Sequence, residues 1–249
     1  KNILKNYKVL IIPFPYVINQ KIARKINAWV KNGGVLISES YMAGWNIEKG
    51  HHEKVVPGYG FDKIFKVKQA VVESAENGKV NIVLDKDLPY LKKGSPIVGT
   101  IVKETYFNNG ATVIASFESG EPAIFISKFG KGRAIQIGSY IALKFHREKL
   151  ENNGNLITGL VESAVKISRP VITDNKKVRV DILSNENEKL VIVQNLENKN
   201  VTVTAQVPGE RFVLMEEQFS GEKINCIKIK SGIEFKLKLN PREVKVYRA

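Results

Sequence analysis

The sequence predicts an α/β domain over residues 1–170 and a small antiparallel β-sandwich over residues 171–249. Two observations carry this. The chain opens on a strand–helix–strand unit, and its hydrophobic period becomes strictly two after Pro170. Residues 7–14 are a continuous apolar run, as expected of a parallel strand buried on both faces. Asn19 is placed to cap the helix that follows. Ile22, Ile26, Trp29 and Val30 recur at helical spacing, and Gly33-Gly34 ends the helix with residues tolerant of positive φ. Val35 to Ser38 reads as the next strand, which completes a right-handed βαβ crossover.

Residues 41–66 are rich in Gly, aromatics and His and have no clear period. They read as a long loop with a short helix near Phe61 to Phe65, and long ordered loops are often functional. From residue 67 the texture changes to short strands at Val67–Val72, Val80–Leu84, Ile97–Val102, Ala111–Phe117 and Ala123–Phe129. Glu118-Ser119-Gly120-Glu121 and Gly130-Lys131-Gly132 read as hairpin turns. A helix is expected at about 154–167, and Pro170 prevents its continuation. The domain boundary falls at 168–176. Beyond it about seven strands alternate apolar and charged residues, as in Val178-Val180-Ile182 and Ile233-Phe235-Leu237-Leu239, with no helix between them.

The 249 residues are 43% hydrophobic, enough for one large or two ordinary cores. No apolar run approaches the ~20 residues of a membrane span, so no membrane partner is expected. The start shows neither a signal peptide nor an initiator Met and reads as a cut inside a longer protein. The single Cys226 excludes an internal disulfide and a Cys-rich zinc site, which suits a reducing compartment and makes the cytoplasm the expected location. A net charge of +14 raises nucleic acid as a partner. Only eight of the 39 basic residues are Arg, however, and the lysines alternate with apolar residues, as in Ile227-Lys228-Ile229-Lys230. That pattern is the solvent face of a sheet, and no nucleic-acid partner is expected.

The Gly33-Gly34 turn, the turn at 129–133 and the terminal sandwich together resemble the C-terminal half of β-galactosidases of glycoside hydrolase family 42. The best segments are 7–45 and 111–139, and Ser40-Tyr41-Met42-Ala43-Gly44 falls where that family often has an aromatic and a small residue before glycine. The resemblance implies a trimerisation domain with a glutamine-amidotransferase-like (flavodoxin-like) α/β fold, then a β-sandwich. It implies that a catalytic (β/α)8 barrel lies outside this chain, with a β-galactoside as the parent's substrate. It also implies a homotrimer, whose subunits lie near one another's active sites. The expected role is subunit association and packing on the barrel, with no catalytic residue, cofactor or metal in this region.

Three readings compete for particular residues. The resemblance places Ser38-Glu39-Ser40-Tyr41 where an amidotransferase keeps its nucleophile, and Phe145-His146-Arg147-Glu148 echoes the Phe-His-Pro-Glu of class I amidotransferases. A stand-alone hydrolase would use Ser38 or Ser40 with His146 and Glu148. Glu39 and Tyr41 are too large for a nucleophile elbow and there is no Cys, so a surface His in a charged segment is the favoured reading. His51 and His52, with Glu48 and Glu53, raise a metal site. Adjacent histidines on an extended segment point to opposite faces, which suits one metal poorly. Tyr41, Trp45, His51, His52 and Tyr59 read instead as an interface or the edge of a substrate site, since large aromatics carry disproportionate interface energy. Finally, Phe212, Phe219, Phe235 and Tyr247 raise a carbohydrate-binding module. Nothing groups them on one face, which favours a structural sandwich.

Overall fold

In the computed structural model, which describes residues 3–165, 169–186 and 188–249, the opening unit is β1 (Val9–Ile12), α1 (Gln20–Lys31) and β2 (Val35–Ser38). Asn19 has an extended backbone and its Oδ1 accepts from the Ile22 amide at 2.8 Å, capping α1. Ala23, Ile26 and Val30 form the buried stripe of the helix, while Ile22 stays exposed. At the far end Gly33 takes φ +119°. β1 pairs in parallel with β2, and β2 pairs in parallel on its other side with β11 (Gly132–Ile137).

Between β2 and β11 lie β3 (Trp45–Asn46), β4 (His51–His52), α2 (Phe61–Phe65), β5 (Val67–Ser74), β6 (Val80–Leu84), β7 (Pro96–Gly99), β8 (Val102–Asn108), β9 (Thr112–Phe117) and β10 (Pro122–Phe129). The main sheet has the order β1-β2-β11-β10-β9-β6-β7. Only its first three strands are parallel, and every pairing from β11 to β7 is antiparallel.

This corrects the expected glutamine-amidotransferase-like, flavodoxin-like α/β fold. Strand makes up 44% of the residues and helix 19%, so the molecule is mostly β, with a curled half-barrel sheet rather than a doubly wound one. The physical reason is connection length. A parallel pair needs a crossover of a dozen or more residues. The β10–β11 link is a two-residue turn, and Phe129 pairs with Gly132 across it. The short segments after residue 67 leave no room for crossover helices.

Two smaller differences follow. β1 is the edge strand, so its side chains are half-buried and Ile11 is 38% exposed, where burial on both faces was expected. The expected strand 97–102 breaks at Thr100-Ile101 into β7 and β8, and β8 leaves the main sheet to pair with β5 as a separate ribbon.

Two helices close this part, α3 (Ile141–Glu148) and α4 (Glu151–Ala164). Residues 166–168, the tail of the expected helix and part of the expected boundary, lie outside the described residues, as do Lys1 and Asn2. The sheet divides two cores. One holds Ile82, Ile97, Ile124, Ile135, Leu156 and Leu160; the other holds Val30, Leu36, Met42, Phe61, Phe65 and Phe125.

The chain separates into two compact units, 1–166 and 167–249. The second contains β12 (Ile172–Thr173), β13 (Val178–Ser184), β14 (Lys189–Asn195), β15 (Val201–Pro208), β16 (Leu214–Glu217), β17 (Lys223–Asn225), β18 (Ile227–Ile229), β19 (Gly232–Leu239) and β20 (Val244–Arg248). They form two antiparallel sheets, β12-β15-β19-β18 and β13-β14-β20-β16-β17. The alternating residues Val191, Val193, Val203, Ala205, Phe235 and Leu237 meet in its core. Phe235 and Tyr247 are buried there, and Phe219 is exposed. No helix among the described residues is long and apolar enough to cross a membrane.

Candidate functional site

The parallel strands β1, β2 and β11 end together, and the chain leaves β2 through Glu39-Ser40-Tyr41. Open α/β sheets bind ligands outside the carboxyl ends of such strands. Here the turn folds inward. Tyr41 takes φ +60° and Ala43 φ +52°, conformations costly for residues with a Cβ. Side chains and backbone from other segments hold them. The Tyr41 amide donates to Glu104 Oε2 at 2.7 Å, the Ala43 amide to the Pro15 carbonyl at 2.8 Å and the Trp45 amide to the Tyr16 carbonyl at 3.1 Å. Residues 41–45 thus run alongside residues 15–17, in the same direction.

This path gathers rings. Tyr16 meets Tyr41 edge-on at 5.6 Å, Trp45 at 6.2 Å and His52 at 5.7 Å, and Trp45 meets His52 at 5.2 Å. Tyr16 Oη lies 3.2 Å from His52 Nε2. Trp45 and His52 face each other because β3 and β4 pair as a hairpin, whose turn is fixed by Asn46. Its Oδ1 accepts from the Glu48 and Lys49 amides, and its Nδ2 donates to Glu53 Oε1. Beside this group Phe14, at φ +56°, stacks on Tyr140 with ring centroids 4.2 Å apart. Phe14 is 52% exposed and covers Tyr140, which is buried beneath it.

Two buried carboxyl groups lie beneath the rings. Glu104 Oε2 takes the Tyr41 amide and Oε1 takes Gln69 Nε2 at 2.7 Å. Burial pushes its carboxyl above the usual range despite these donors. Glu39 Oε1 accepts from the Ala142 amide at 2.6 Å, and the Ile141 and Phe14 backbone amides lie near the same carboxyl. Desolvation outweighs these amides and pushes Glu39 up to about 7. Its Oε2 is buried without a partner, as are Ser40 Oγ and Gln136 Oε1. Ser40 Oγ adjoins Glu104 but falls short of hydrogen-bond geometry. Gln136 Nε2 bridges the Glu39 carbonyl and the Tyr106 hydroxyl, both at 2.9 Å.

The residues singled out from sequence separate into groups. Tyr41, Trp45 and His52 come together with Tyr16. His51 turns away and donates from Nδ1 to the His52 carbonyl at 2.7 Å. Tyr59 packs on the core beside α1, where its carbonyl accepts from Asn27 Nδ2. Ser38 and Ser40 are fully buried, while His146 is exposed on α3. Among the described residues no hydrogen bond joins His146 to either serine, and Glu148 is taken by Lys144 at 2.5 Å. A buried hydroxyl cannot meet a substrate, so this arrangement does not assemble nucleophile, base and orienting acid. No three metal-ligating side chains gather among the described residues.

Sequence reasoning missed Phe14, Tyr16, Glu39, Glu104 and Tyr140. One signal was available for Glu104. It sits in phase with Val102 and Tyr106, on the buried face of β8. An acid at a core position of a strand marks a buried polar network.

Residues 1–169 match the family model described as the β-galactosidase trimerisation domain. The chain is 24% identical over 222 residues to β-galactosidase LacA of Lactobacillus acidophilus, a match covering 86% of this chain and 30% of that protein. It thus spans under a third of that relative's length. In structure it is similar to a β-galactosidase from Bacillus circulans sp. alkalophilus, with TM-score 0.75 and 18% identity over 98% of this chain and 33% of that one. It is likewise similar to Gan42B, a family 42 β-galactosidase, with TM-score 0.74 and 17% identity over 99% of this chain and 32% of that one.

Proposed function

The chain belongs to the β-galactosidase trimerisation-domain family of glycoside hydrolase family 42, and on that premise we propose that it is a non-catalytic region through which subunits of a β-galactosidase associate and on which the catalytic barrel packs. The observation that carries the reading is the aromatic surface of Phe14, Tyr16, Tyr41, Trp45 and His52, with Phe14 lying on the buried Tyr140, at the carboxyl ends of the parallel strands. In an enzyme built on this sheet edge, that place would hold the reacting groups. Here the serines beneath it are sealed and rings cover the opening. Aromatic side chains are the usual anchors of protein interfaces.

The edge strand beside it supports the same reading. Tyr7, Ile11, Phe14, Val17 and Ile22 are all exposed along β1 and the start of α1. A row of apolar side chains beside an unpaired strand edge is a liability unless another surface covers it. The parent's substrate on this reading is a β-galactoside, and its assembly a homotrimer. Sedimentation equilibrium of the chain tests the proposal, with concentration-dependent association expected. Trp45→Ala with Phe14→Ala should weaken it at least tenfold, about 1.4 kcal/mol. An unchanged association constant in the double variant would remove the aromatic surface from the interface.

A further inference from the structure

We propose that Glu39 is the positioning residue of this aromatic surface and that association through the surface is coupled to a proton carried by its carboxyl group. The inference rests on the interface reading above and adds its regulation.

Glu39 sits between the backbones of the two stacked rings. Its Oε1 accepts the amide of Ala142, next to Tyr140, at 2.6 Å, and the Phe14 and Ile141 backbone lies near the same carboxyl. Tyr140 precedes α3 and makes no side-chain cap, so Glu39 supplies, from the turn after β2, the cap that the helix lacks. One carboxyl is thus bonded at the start of α3 and lies beside the end of β1, across which Phe14 and Tyr140 stack at 4.2 Å. Glu104 does the same for Tyr41 through its amide.

The surroundings make that carboxyl sensitive to protons. The titratable groups gathered with Glu39 around Tyr140 are Tyr41 on its own turn, Tyr16 beyond β1 and Glu104 from β8, and Tyr106 joins them through Gln136, which donates to the Glu39 carbonyl. None is a cation, and Lys144 further along α3 is held by Glu148. Glu39 Oε2 is buried and has no donor. Ionisation would place a charge with one oxygen dry and unpaired, a cost the Ala142 amide and its neighbours only partly offset. Burial accordingly pushes the Glu39 carboxyl up, to about 7. The folded state holds a proton that the unfolded chain releases near 4.5, so the contribution of Glu39 is complete below that pH. It is lost as pH rises towards about 7. A partner seated on the rings excludes more water and strengthens the coupling.

The test compares the wild-type chain with Glu39→Gln, which cannot ionise. The backbone amides of Phe14 and Ala142 are followed by NMR from pH 5 to 9, and association is measured by sedimentation at pH 6 and pH 8. In wild type both amides should titrate together with a midpoint near 7, and association should weaken several-fold at pH 8. In Glu39→Gln both readouts should be flat. Urea unfolding gives a third reading: the wild-type folding constant should fall about tenfold per pH unit between ~5 and ~7 relative to the variant. Flat amide shifts in wild type, or equal pH dependence in the two proteins, would overturn the inference while leaving the interface standing. Titrating amides with association that ignores pH would overturn the coupling. Absence of association in every protein at every pH would sink the interface reading and with it the coupling to assembly.

Discussion

At the amino ends of β2 and β11 the chain turns on glycine; at the carboxyl end of β2 it turns on a buried acid, with a second from β8 beside it. The β10–β11 turn packs backbone on backbone under α1. The Lys131 amide donates to the Lys31 carbonyl at 2.9 Å, and the Arg133 amide to the Gly34 carbonyl at 3.2 Å. A Cβ on Gly132 would lie 2.0 Å from the Val30 carbonyl oxygen, and one on Gly34 would enter the Trp29 ring at 2.3 Å. No ionisable side chain takes part in these contacts. The 38–41 turn has the opposite design: positive φ without glycine, two buried carboxyl groups and unpaired polar atoms. The same three strands thus carry a close-packed end that stabilises and a strained polar end that presents a surface. Strain of this kind persists only where its surroundings over-determine it.

The largest expected effect lies at the glycine end. Gly132→Ala should lower stability by about 3 kcal/mol, because backbone on both sides must move to admit the methyl group. Urea unfolding at pH 6 and pH 8 should give the same loss, since no proton is involved; a loss below ~1 kcal/mol would show that the turn yields easily. At the acid end, Glu104→Ala strands the Tyr41 amide and the Gln69 side chain and should cost about 2 kcal/mol. Here pH matters. The Glu104 carboxyl is raised by burial, so wild type loses stability as pH climbs from the ordinary carboxylate range towards the raised value, and the gap to Glu104→Ala narrows. Equal gaps at pH 5 and pH 8 would erase the contrast between the two ends. Phe14→Ala should cost only about 1.5 kcal/mol of stability, since half its ring is already exposed.

The two ends were unequally legible in the sequence. Asn19, Ile26, Val30 and Gly33 describe α1 by local rules, and Gly130-Lys131-Gly132 describes its hairpin, because each depends on neighbours a few residues away. The acid end depends on distant partners: Tyr41 with Glu104 across 63 residues, and Glu39 with Ala142 across 103. No local spacing reveals such pairs. α3 was hidden for a related reason. Its exposed face, His146-Arg147-Glu148, reads as a charged segment, and its start is capped by a residue from the turn after β2. The fold class failed differently. The hairpin-length connections after residue 67 already argued against a doubly wound sheet, and the βαβ opening was extended past the three strands to which it applies.

The smallest prediction separates location from chemistry. Asn19 caps α1 at its amino end, on the same side of the sheet as the aromatic surface, yet its bond to the Ile22 amide involves no titrating group. Asn19→Ala should cost about 1 kcal/mol, and Asn19→Ser should recover most of it, because the hydroxyl also accepts from the first turn. Both values should stay constant from pH 5 to pH 9. If Asn19→Ala instead shows the pH dependence expected of Glu39 and Glu104, the proton sensitivity belongs to the whole carboxyl end of the strands, and the assignment to two named carboxyl groups is too narrow. If it is flat while Glu104→Ala is not, the sensitivity resides in the acids themselves, and proximity to the rings contributes nothing.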